Sequence, residues 1–470
     1  MTAFSLDPAQ TAWCAKLSAL AADCLRPLAE KGEPGHVNRP LIAELAQLGL
    51  LKRLFTSGAL DLCLMRESLA YACTEAETAL ALQGLGAHPV YAYGTPAQRD
   101  RWLPRVAGGT AVAAFALSEP TAGSDAAALT LRAERHPSQR DASQRAQRDV
   151  PRRAGQGGST AGEPGTPARA PGSGSRGAAS AAGSGAPGAA GGRASRAPRA
   201  EPATPLGAEP DGVHRWRLTG EKCWISNAPE ADFYTVFART TPDAGARGVT
   251  AFLVPADRPG LTGTPLDMLS PHPIGALAFD AVPVSADDAL GEPDHGFRVA
   301  MNTLNLFRPS VGAFAVGMAQ AALDATLAHT ARREAFGGKL SDLQTVAHQV
   351  AEMALRTEAA RLMVYAAAAA YDEGAPDVPK RAAMAKLLAT ETAQYVVDAA
   401  VQLHGARALR RGHLLEHLYR EVRAPRIYEG ASEVQRAVIA KELYRESEGK
   451  ESDGRNPDDG KAPYAKGQRA

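Results

Sequence analysis

The sequence predicts an α+β fold in three parts: a helical N-terminal domain, a middle β domain and a C-terminal helix bundle. Three observations support this prediction. Apolar residues recur every three to four positions before residue 110 and after residue 296, which is the period of an amphipathic helix. Between about 111 and 290 they alternate as they do in β-strands. Residues 136–213 contain almost no large apolar side chains, so they interrupt the β domain without adding to its core.

Residues 1–110 are expected to form the helical domain. The run PLIAELAQLGLLKRL (40–54) has apolar residues at helical spacing, and TPAQRDRWLPRV (95–106) looks like a short helix with a threonine cap. These segments therefore predict helices packed through one apolar face.

Residues 111–290 are expected to form the β domain. Strand patterns occur in ADFYTVFART (231–240), GVTAFLVPAD (248–257) and GALAFDAVPV (275–284). Two more flank the segment 136–213, which is rich in Gly, Pro, Ala, Ser and Arg and is expected to be disordered. We interpret these two as a β-hairpin with an enlarged loop, and Thr219-Gly220 as a turn.

Residues 291–446 are expected to form a helix bundle. Leu343, Val346, Val350 and Met353 follow a 3-4-3 spacing and form one apolar stripe. Further helical runs cover about 311–331 and 381–404. The polar residues 447–470 are expected to be a disordered tail.

Composition excludes some classes of function. The 470 residues are 45% hydrophobic and 22% charged, with a formal net charge of +1, as in a globular protein of two or three domains. A broad interaction with nucleic acid or with an anionic membrane needs a basic excess. We therefore expect neither partner.

Cysteine usage and the N-terminus point to the cytoplasm. The five cysteines form no Cys-x-x-Cys pair and have no histidine at zinc-ligand spacing, so neither a disulfide framework nor a metal site is predicted. The first residues lack the basic region followed by an apolar run that is typical of a signal peptide. The longest apolar run expected in a helix, residues 362–371, is too short to span a bilayer. We expect a cytoplasmic protein.

Four separated stretches carry the chemistry: AFALSEPTAGSD (114–125), KCWISN (222–227), RREAFGGKLSDLQ (332–344) and RIYEGASEVQR (426–436). Their order and the helix–β–helix layout resemble the acyl-CoA dehydrogenase family from about residue 7 to 446, apart from the insert. The resemblance implies a middle β-barrel or β-sandwich and a C-terminal four-helix bundle. It also implies bound FAD, an acyl-CoA substrate, an electron-transferring flavoprotein as electron acceptor, and a homo-oligomer, either a dimer or a tetramer.

The first two stretches have a structural and a functional interpretation. By themselves, the small residues after Ser118 are more often a tight turn, and a tryptophan in a strand usually belongs to the core. The resemblance implies instead that they line the flavin, with the hydroxyl of Ser118 near the ring, Trp224 beside it and Ser226 near its reactive nitrogen. Ser124 would also face the CoA. The flavin-lining residues implied in these stretches are Phe115, Leu117, Ser118, Ser124, Trp224, Ile225 and Ser226.

The third stretch is implied to serve a neighbouring subunit. A surface arginine such as Arg333 is normally just solvated, but a guanidinium can also pair with phosphate oxygens. In the family, this junction and the stretch QLHGA (402–406) reach the adenine and diphosphate of the neighbour's FAD. The residues that match are Arg333, Phe336, Gln344, Gln402, Gly405 and Ala406, the last in place of a usual glycine.

The fourth stretch contains the candidate base, Glu429. A lone glutamate is most often a solvated turn acid, but burial raises the pKa of a carboxyl and fits it to remove a proton. The resemblance makes Glu429 the base that abstracts the α-proton of the thioester, with Gly430 leaving room for the substrate. Relatives that carry their base on a preceding helix do so at the position of Phe307, which cannot act as one.

Other residues complete the implied site. Arg308 and Asn305 match positions that contact substrate, with Asn305 in place of a common acid. Ala431, in place of a common threonine, and Glu433 match positions beside the cofactor.

Three rival functions share these features. An acyl-CoA oxidase has the same fold and base but passes electrons to oxygen. A dehydrogenase of carrier-protein thioesters differs only in substrate. A flavin-binding protein without catalysis, with the arginine-rich insert contacting nucleic acid or a partner, would have no need of Glu429.

Overall fold

The computed structural model describes residues 6–135 and 216–453. The predicted disordered insert (136–213) lies outside these residues, as does the tail beyond 453. The first part is helical, and its elements are α1 (Pro8–Leu20), α2 (Arg26–Ala29), α3 (Arg39–Gln47), α4 (Leu50–Arg53), α5 (Ala59–Ala72), α6 (Thr74–Tyr93) and α7 (Pro96–Ala107). A single π-helical turn, Ala21–Leu25, joins α1 to α2.

Local sequence explains where two of these helices begin and end. Thr95 and Gln98 form a capping box at the start of α7, which satisfies two backbone N–H groups that the helix leaves free. Gly49 has φ 74° and separates α3 from α4, so the run predicted as one helical segment forms two.

The middle part is one seven-stranded sheet. Its strands are β1 (Ala113–Ala116), β2 (Arg132–Arg135), β3 (Trp216–Ser226), β4 (Phe233–Arg239), β5 (Val249–Pro255), β6 (Leu261–Pro265) and β7 (Ile274–Val284). The order is β1-β4-β2-β3-β7-β6, and β5 pairs with β4. Helix α6 packs on this sheet so closely that a Cβ on Gly86 would lie 2.6 Å from the Ala114 nitrogen.

The predicted hairpin across the insert is confirmed. Strands β2 and β3 are antiparallel, and Arg135 at the end of β2 is paired with Trp216 at the start of β3. The predicted turn at Thr219-Gly220 is wrong, because β3 continues through it. Gly220 has φ 139°, and the register shifts between Leu218 and Gly220, so this dipeptide forms a β-bulge.

The last part is a helix bundle. Its helices are α8 (Gly296–Thr330), α9 (Gln344–Asp372), α10 (Val378–His404), α11 (Leu414–Glu421) and α12 (Ser432–Asp453). Helix α10 packs against α8, α9 and α12, and alanine and valine side chains dominate the core between them. A Cβ on Gly317 would lie 2.3 Å from the Glu67 carbonyl oxygen, so α8 also approaches the backbone of α5. With this bundle, the predicted order of helices, sheet and helices is confirmed.

Three details differ from the predictions. A small β-hairpin of β8 (Glu334–Ala335) and β9 (Gly338–Lys339) lies between α8 and α9, where no strands were predicted. Helix α12 continues to Asp453, past the residue where the tail was predicted to begin. The run 362–371 was expected to be the longest apolar run in a helix, but it is only the end of α9, and α8 contains a longer one.

Helix α8 is the longest apolar helix in the part of the chain that the structure describes. By length and composition it could cross a membrane, but 72% of its most apolar window is buried inside the fold. Such burial is typical of the core helix of a helical bundle.

Candidate active site

Glu429 lies on a tight turn just before α12. A short 3-10 turn, Ala424–Arg426, precedes it, and both Glu429 (φ 52°) and Gly430 (φ 95°) have left-handed backbone conformations. A left-handed conformation costs a residue other than glycine about 1–2 kcal/mol. At Gly430 any other residue would be strained by this φ, and its Cβ would lie 2.3 Å from Gln435 Nε2, so the Gln435 amide would have to move.

Side-chain donors from three helices hold this turn. Arg308 Nε of α8 donates to the Glu429 carbonyl oxygen over 3.1 Å. Lys386 Nζ of α10 donates to the Gly430 carbonyl oxygen over 2.7 Å. Gln435 Nε2 of α12 donates to both oxygens, at 3.1 and 3.0 Å. These four hydrogen bonds fix both carbonyl groups and oppose relaxation of the strained backbone.

No group among the described residues donates a hydrogen bond to the Glu429 carboxylate or forms an ion pair with it. Its Oε2 is shielded from solvent and accepts no hydrogen bond from the described residues. Burial raises the pKa of Glu429, and the nearby cations Arg66, Arg308 and Lys386 oppose that rise without cancelling it. The backbone N–H of Glu429 also donates to no acceptor within the described parts of the chain. The turn therefore presents a basic carboxylate and a free donor side by side.

Two buried groups near the turn at Tyr428 and Glu429 were not anticipated from the sequence. Arg66 of α5 forms an ion pair with Glu77 of α6, with side chains only 4% and 1% exposed. Arg66 Nη1 also donates to Ser310 Oγ of α8 over 2.7 Å. No motif signals this cluster, because Arg66 and Glu77 lie on two different helices and Ser310 is 244 residues from Arg66 in the chain.

Phe307 is the residue that the resemblance matches to the base of some relatives. Its ring is buried and makes an edge contact with His88 at 6.1 Å between centroids. Burial lowers the pKa of His88 to about 4, so this imidazole is neutral at physiological pH. Neither side chain offers a carboxylate there. Two residues before Phe307, Asn305 Oδ1 accepts a long 3.4 Å hydrogen bond from Arg308.

The residues expected to line the flavin converge where β1 meets β3. The Cys223 N–H donates to the Ser118 carbonyl oxygen over 3.0 Å, which brings the first two motifs together. Trp224 has φ 57°, and its side chain is 49% exposed, whereas Ile225 is buried. The ring of Trp224 is therefore outside the core, and its face is available to a planar ligand. Ser226 is half-buried, and Phe115 packs on Phe237 with centroids 4.9 Å apart.

A buried ion pair supports this junction from inside the fold. Lys222 Nζ donates to Glu119 Oε1 and to the Leu117 carbonyl oxygen, both over 2.9 Å. The Glu119 carboxylate also accepts from the N–H groups of Thr130 and Leu131 at 2.6 and 2.9 Å. Burial lowers the pKa of Lys222 to about 8, against the attraction of Glu119. For Glu119, burial acts to raise the pKa, but Lys222 and the N–H donors outweigh it and the pKa is lowered.

Glu119 and Lys222 belong to two quoted motifs, yet no role was predicted for either. A glutamate and a lysine in strand patterns are ordinarily surface residues. Only their pairing between the loop after β1 and strand β3, which the fold creates, makes their burial tolerable.

Three further predicted contacts lie at the edges of the site. Ser124 is exposed on the loop after β1, next to Gly123, around which a Cβ would meet no atom. Ala431 is half-buried just after the turn, and Glu433 is exposed in the first turn of α12. The loop has the open backbone that close contact with a ligand requires.

The residues expected to serve a neighbouring subunit form a separate group at one end of the bundle. Stacking of His329 on His404, with ring centroids 4.1 Å apart, joins the end of α8 to the end of α10. The expected residues flank this contact, and all are exposed: Arg333, Phe336, Gln344, Gln402, Gly405 and Ala406. Phe336 is 91% exposed with φ 54°. No hydrogen bond or ion pair between described residues links this group to Ser118 or Trp224.

Within residues 6–135 and 216–453, no group of three or more His, Cys, Asp or Glu side chains could hold a metal ion. The donor set of the site is instead hydroxyl groups, backbone amides, an open indole and guanidinium groups. These groups suit a planar heterocycle that carries phosphates. The residues present therefore fit a flavin dinucleotide.

Sequence comparison covers all three parts of the chain. Residues 7–110 match the N-terminal domain of acyl-CoA dehydrogenases, 194–282 the middle domain and 294–444 the C-terminal domain.

Individual relatives agree. A probable acyl-CoA dehydrogenase of Mycobacterium tuberculosis is 42% identical over 241 residues, which are 51% of this chain and 62% of that protein. The human mitochondrial short-chain specific acyl-CoA dehydrogenase is 41% identical over 246 residues, 52% of this chain and 59% of that protein. The chain thus spans about six tenths of the length of these two relatives. Cyclohexane-1-carbonyl-CoA dehydrogenase of Geobacter metallireducens is 28% identical over 425 residues, 88% of this chain and 91% of that protein.

Solved structures have the same fold. Butyryl-CoA dehydrogenase from Megasphaera elsdenii aligns with a TM-score of 0.73 and 27% identity, covering 94% of this chain and 100% of that one. A chain from a study of the electron transferring flavoprotein of Acidaminococcus fermentans has the same TM-score and identity, covering 94% and 99%.

Proposed function

Because the chain belongs to the acyl-CoA dehydrogenase family, we propose that it oxidises the α,β carbon–carbon bond of an acyl-CoA thioester. Glu429 is the base that removes the α-proton. The cofactor is FAD, which supplies a hydride acceptor for the β-carbon. The substrate class rests on the names of the relatives, several of which are acyl-CoA dehydrogenases.

The observation that carries this proposal is the state of the Glu429 carboxylate. A general base needs an oxygen that is free to accept a proton and a pKa raised toward the working pH. Glu429 Oε2 is shielded from solvent and accepts no hydrogen bond within the described residues, and burial raises the pKa of the group. A solvated turn glutamate would have neither property.

The turn also suits the charge that develops during proton removal. When the α-proton leaves, negative charge moves onto the thioester oxygen, and a donor at that oxygen stabilises the transition state. The N–H of Glu429 donates to no described acceptor, so it is available for this contact. Arg66, Arg308 and Lys386 add positive charge near the Glu429 carboxylate.

The electron acceptor and the assembly are part of the proposal. One of the structural neighbours comes from a study of an electron transferring flavoprotein, which supports a flavoprotein as the electron acceptor. Phe336 and Arg333 are both exposed, and Arg333 has no ion-pair partner among the described residues. These two observations support a contact with a second subunit and its FAD.

The test is anaerobic bleaching of the bound flavin by a panel of acyl-CoAs, including butyryl-CoA and cyclohexane-1-carbonyl-CoA. The Glu429→Gln variant should still bind FAD, but its bound flavin should be reduced by the substrate several orders of magnitude more slowly, because the amide cannot accept a proton. The matched control is Glu373→Gln, an exposed glutamate just after α9 and outside the candidate site, whose flavin should be reduced at the wild-type rate. A wild-type rate in Glu429→Gln, or no bleaching by any thioester, would refute the proposal.

A further inference from the structure

Lys386 is a buried charge that the proposed reaction does not itself require. Lys386 lies on α10 and is 0% exposed. No carboxylate among the described residues forms an ion pair with it. Its ammonium donates only one described hydrogen bond, to the Gly430 carbonyl oxygen at 2.7 Å. Burying an ammonium without a paired carboxylate is costly. A methionine of similar length would fill the same space without that cost.

The location of the ammonium suggests what it does. Gly430 is the second of two consecutive left-handed residues, and the first is Glu429. Such a backbone persists only where its surroundings hold it in place. Lys386 is the donor of the shortest of the four hydrogen bonds that hold this turn. A change at Gly430 would therefore be transmitted directly to the direction of the Glu429 side chain.

The charge of Lys386 is also close to the base. The groups that face the ammonium are Glu429 on the turn, Arg308 on α8, Glu391 on its own helix and Glu433 on α12. Among the three carboxylates, Glu429 has the strongest influence on Lys386. The attraction is mutual, so the ammonium favours the ionised form of Glu429.

We propose that Lys386 is a positioning residue for the base: its ammonium fixes the Gly430 carbonyl so that the Glu429 carboxylate stays aimed at the substrate, and its positive charge holds that carboxylate ionised. This inference rests on the proposed function of Glu429. It also explains why an unpaired buried lysine occupies a place where an apolar side chain would pack at lower cost.

The test compares Lys386→Met with Lys386→Arg in the FAD-loaded enzyme. The assay is single-turnover flavin reduction as a function of pH, with the acyl-CoA that bleaches the wild-type flavin fastest. Lys386→Met removes donor and charge, and we expect reduction to slow by about 10²-fold, the scale of a misplaced catalytic group. The acid limb of its pH–rate profile should move to higher pH, because the loss of a neighbouring cation raises the pKa of Glu429. Lys386→Arg keeps the charge and should keep its acid limb near that of the wild type.

Thermal unfolding separates positioning from a merely structural role. Since Lys386→Met removes an unpaired buried charge, its Tm should be equal to or above that of the wild type. The matched control is Lys380→Met, on the same helix but with its ammonium ion-paired to Glu446, which should leave the rate and the acid limb unchanged.

Two results would overturn the inference: a wild-type rate and acid limb in Lys386→Met, or a slower rate with an unmoved acid limb and a lower Tm. A second measurement distinguishes failure of the inference from failure of the proposed function. Acetyl-CoA has α-protons but no β-carbon, so its α-proton exchange in deuterated water reports on the base alone. Exchange that is lost in Glu429→Gln but unchanged in Lys386→Met would keep the base and reject the role of Lys386. Exchange retained in Glu429→Gln would reject the base itself.

Discussion

The buried ion pair between Glu119 and Lys222 gives a quantitative test of what stabilises the junction between the loop after β1 and strand β3, where the Cys223 N–H donates to the Ser118 carbonyl oxygen. Glu119→Gln keeps the side chain's size and one acceptor oxygen for the N–H groups of Thr130 and Leu131. It leaves the Lys222 ammonium, which is 0% exposed, without a countercharge. Breaking a buried pair in this way costs about 3–5 kcal/mol. At roughly 2 °C per kcal/mol for a large domain, Tm should fall by roughly 6–10 °C.

The cofactor should respond as well, because Lys222 also donates to the Leu117 carbonyl oxygen, next to Ser118. We expect Glu119→Gln to bind less FAD, measured as the ratio of flavin to protein absorbance after gel filtration. Thermal unfolding is followed by circular dichroism on the same samples. The double variant Glu119→Gln/Lys222→Met, which removes both charges, should recover most of the lost Tm.

The control for this prediction is a surface pair on β2. Glu134→Gln breaks an exposed ion pair with Arg132, and such pairs are worth about 0–1 kcal/mol. Its Tm and FAD content should stay close to those of the wild type. If Glu119→Gln also keeps the wild-type Tm and flavin, or if the double variant is no more stable than the single one, the ion pair does not hold the junction.

Three further predictions follow from the same contacts. Arg333→Ala should lower FAD retention and weaken the oligomer together in gel filtration, whereas Arg332→Ala should do neither; full FAD in a stable monomer would contradict this. Because burial raises the pKa of Glu429, the folded protein binds that proton more tightly than the unfolded chain, so wild-type stability falls as pH rises above the unfolded value of about 4.3. Glu429→Gln should therefore have the higher Tm at neutral pH and lose this advantage below about pH 4; equal Tm values at neutral pH would contradict the burial. Replacing the insert 136–213 by a short turn should preserve folding, flavin content and acyl-CoA oxidation, because the strands on either side are paired where the chain leaves and returns; loss of flavin or precipitation would refute the hairpin.

Elements governed by local sequence were predictable. Helical periodicity and caps such as Thr95 gave α7, and strand alternation on both sides of the insert gave the pairing of β2 with β3. The error at Thr219-Gly220 has a physical cause. A glycine with positive φ ends a strand in a turn but only bends it in a bulge, and the choice depends on the partner strand β7. A single sequence does not identify that partner.

The candidate site divides in the same way. Glu429 could be predicted from a motif, because the residues next to it in the chain form that motif. Its cations could not be predicted, since Arg66 lies on α5, Arg308 on α8 and Lys386 on α10. Their convergence on one carboxylate depends on how three helices pack, and no spacing within the chain encodes it.

These cations resolve a conflict that burial alone creates. A carboxylate in an apolar pocket becomes a stronger base, but a pKa raised too far leaves it protonated and useless at neutral pH. In this site burial raises the pKa of Glu429, and Arg66, Arg308 and Lys386 limit the rise without neutralising the carboxylate through a direct ion pair. Two of the three, Arg308 and Lys386, donate to the backbone of the turn instead. The carboxylate oxygens therefore remain free to take a proton, and the charges of Arg308 and Lys386 that favour the ionised form of Glu429 also come from the side chains that hold its strained backbone in place.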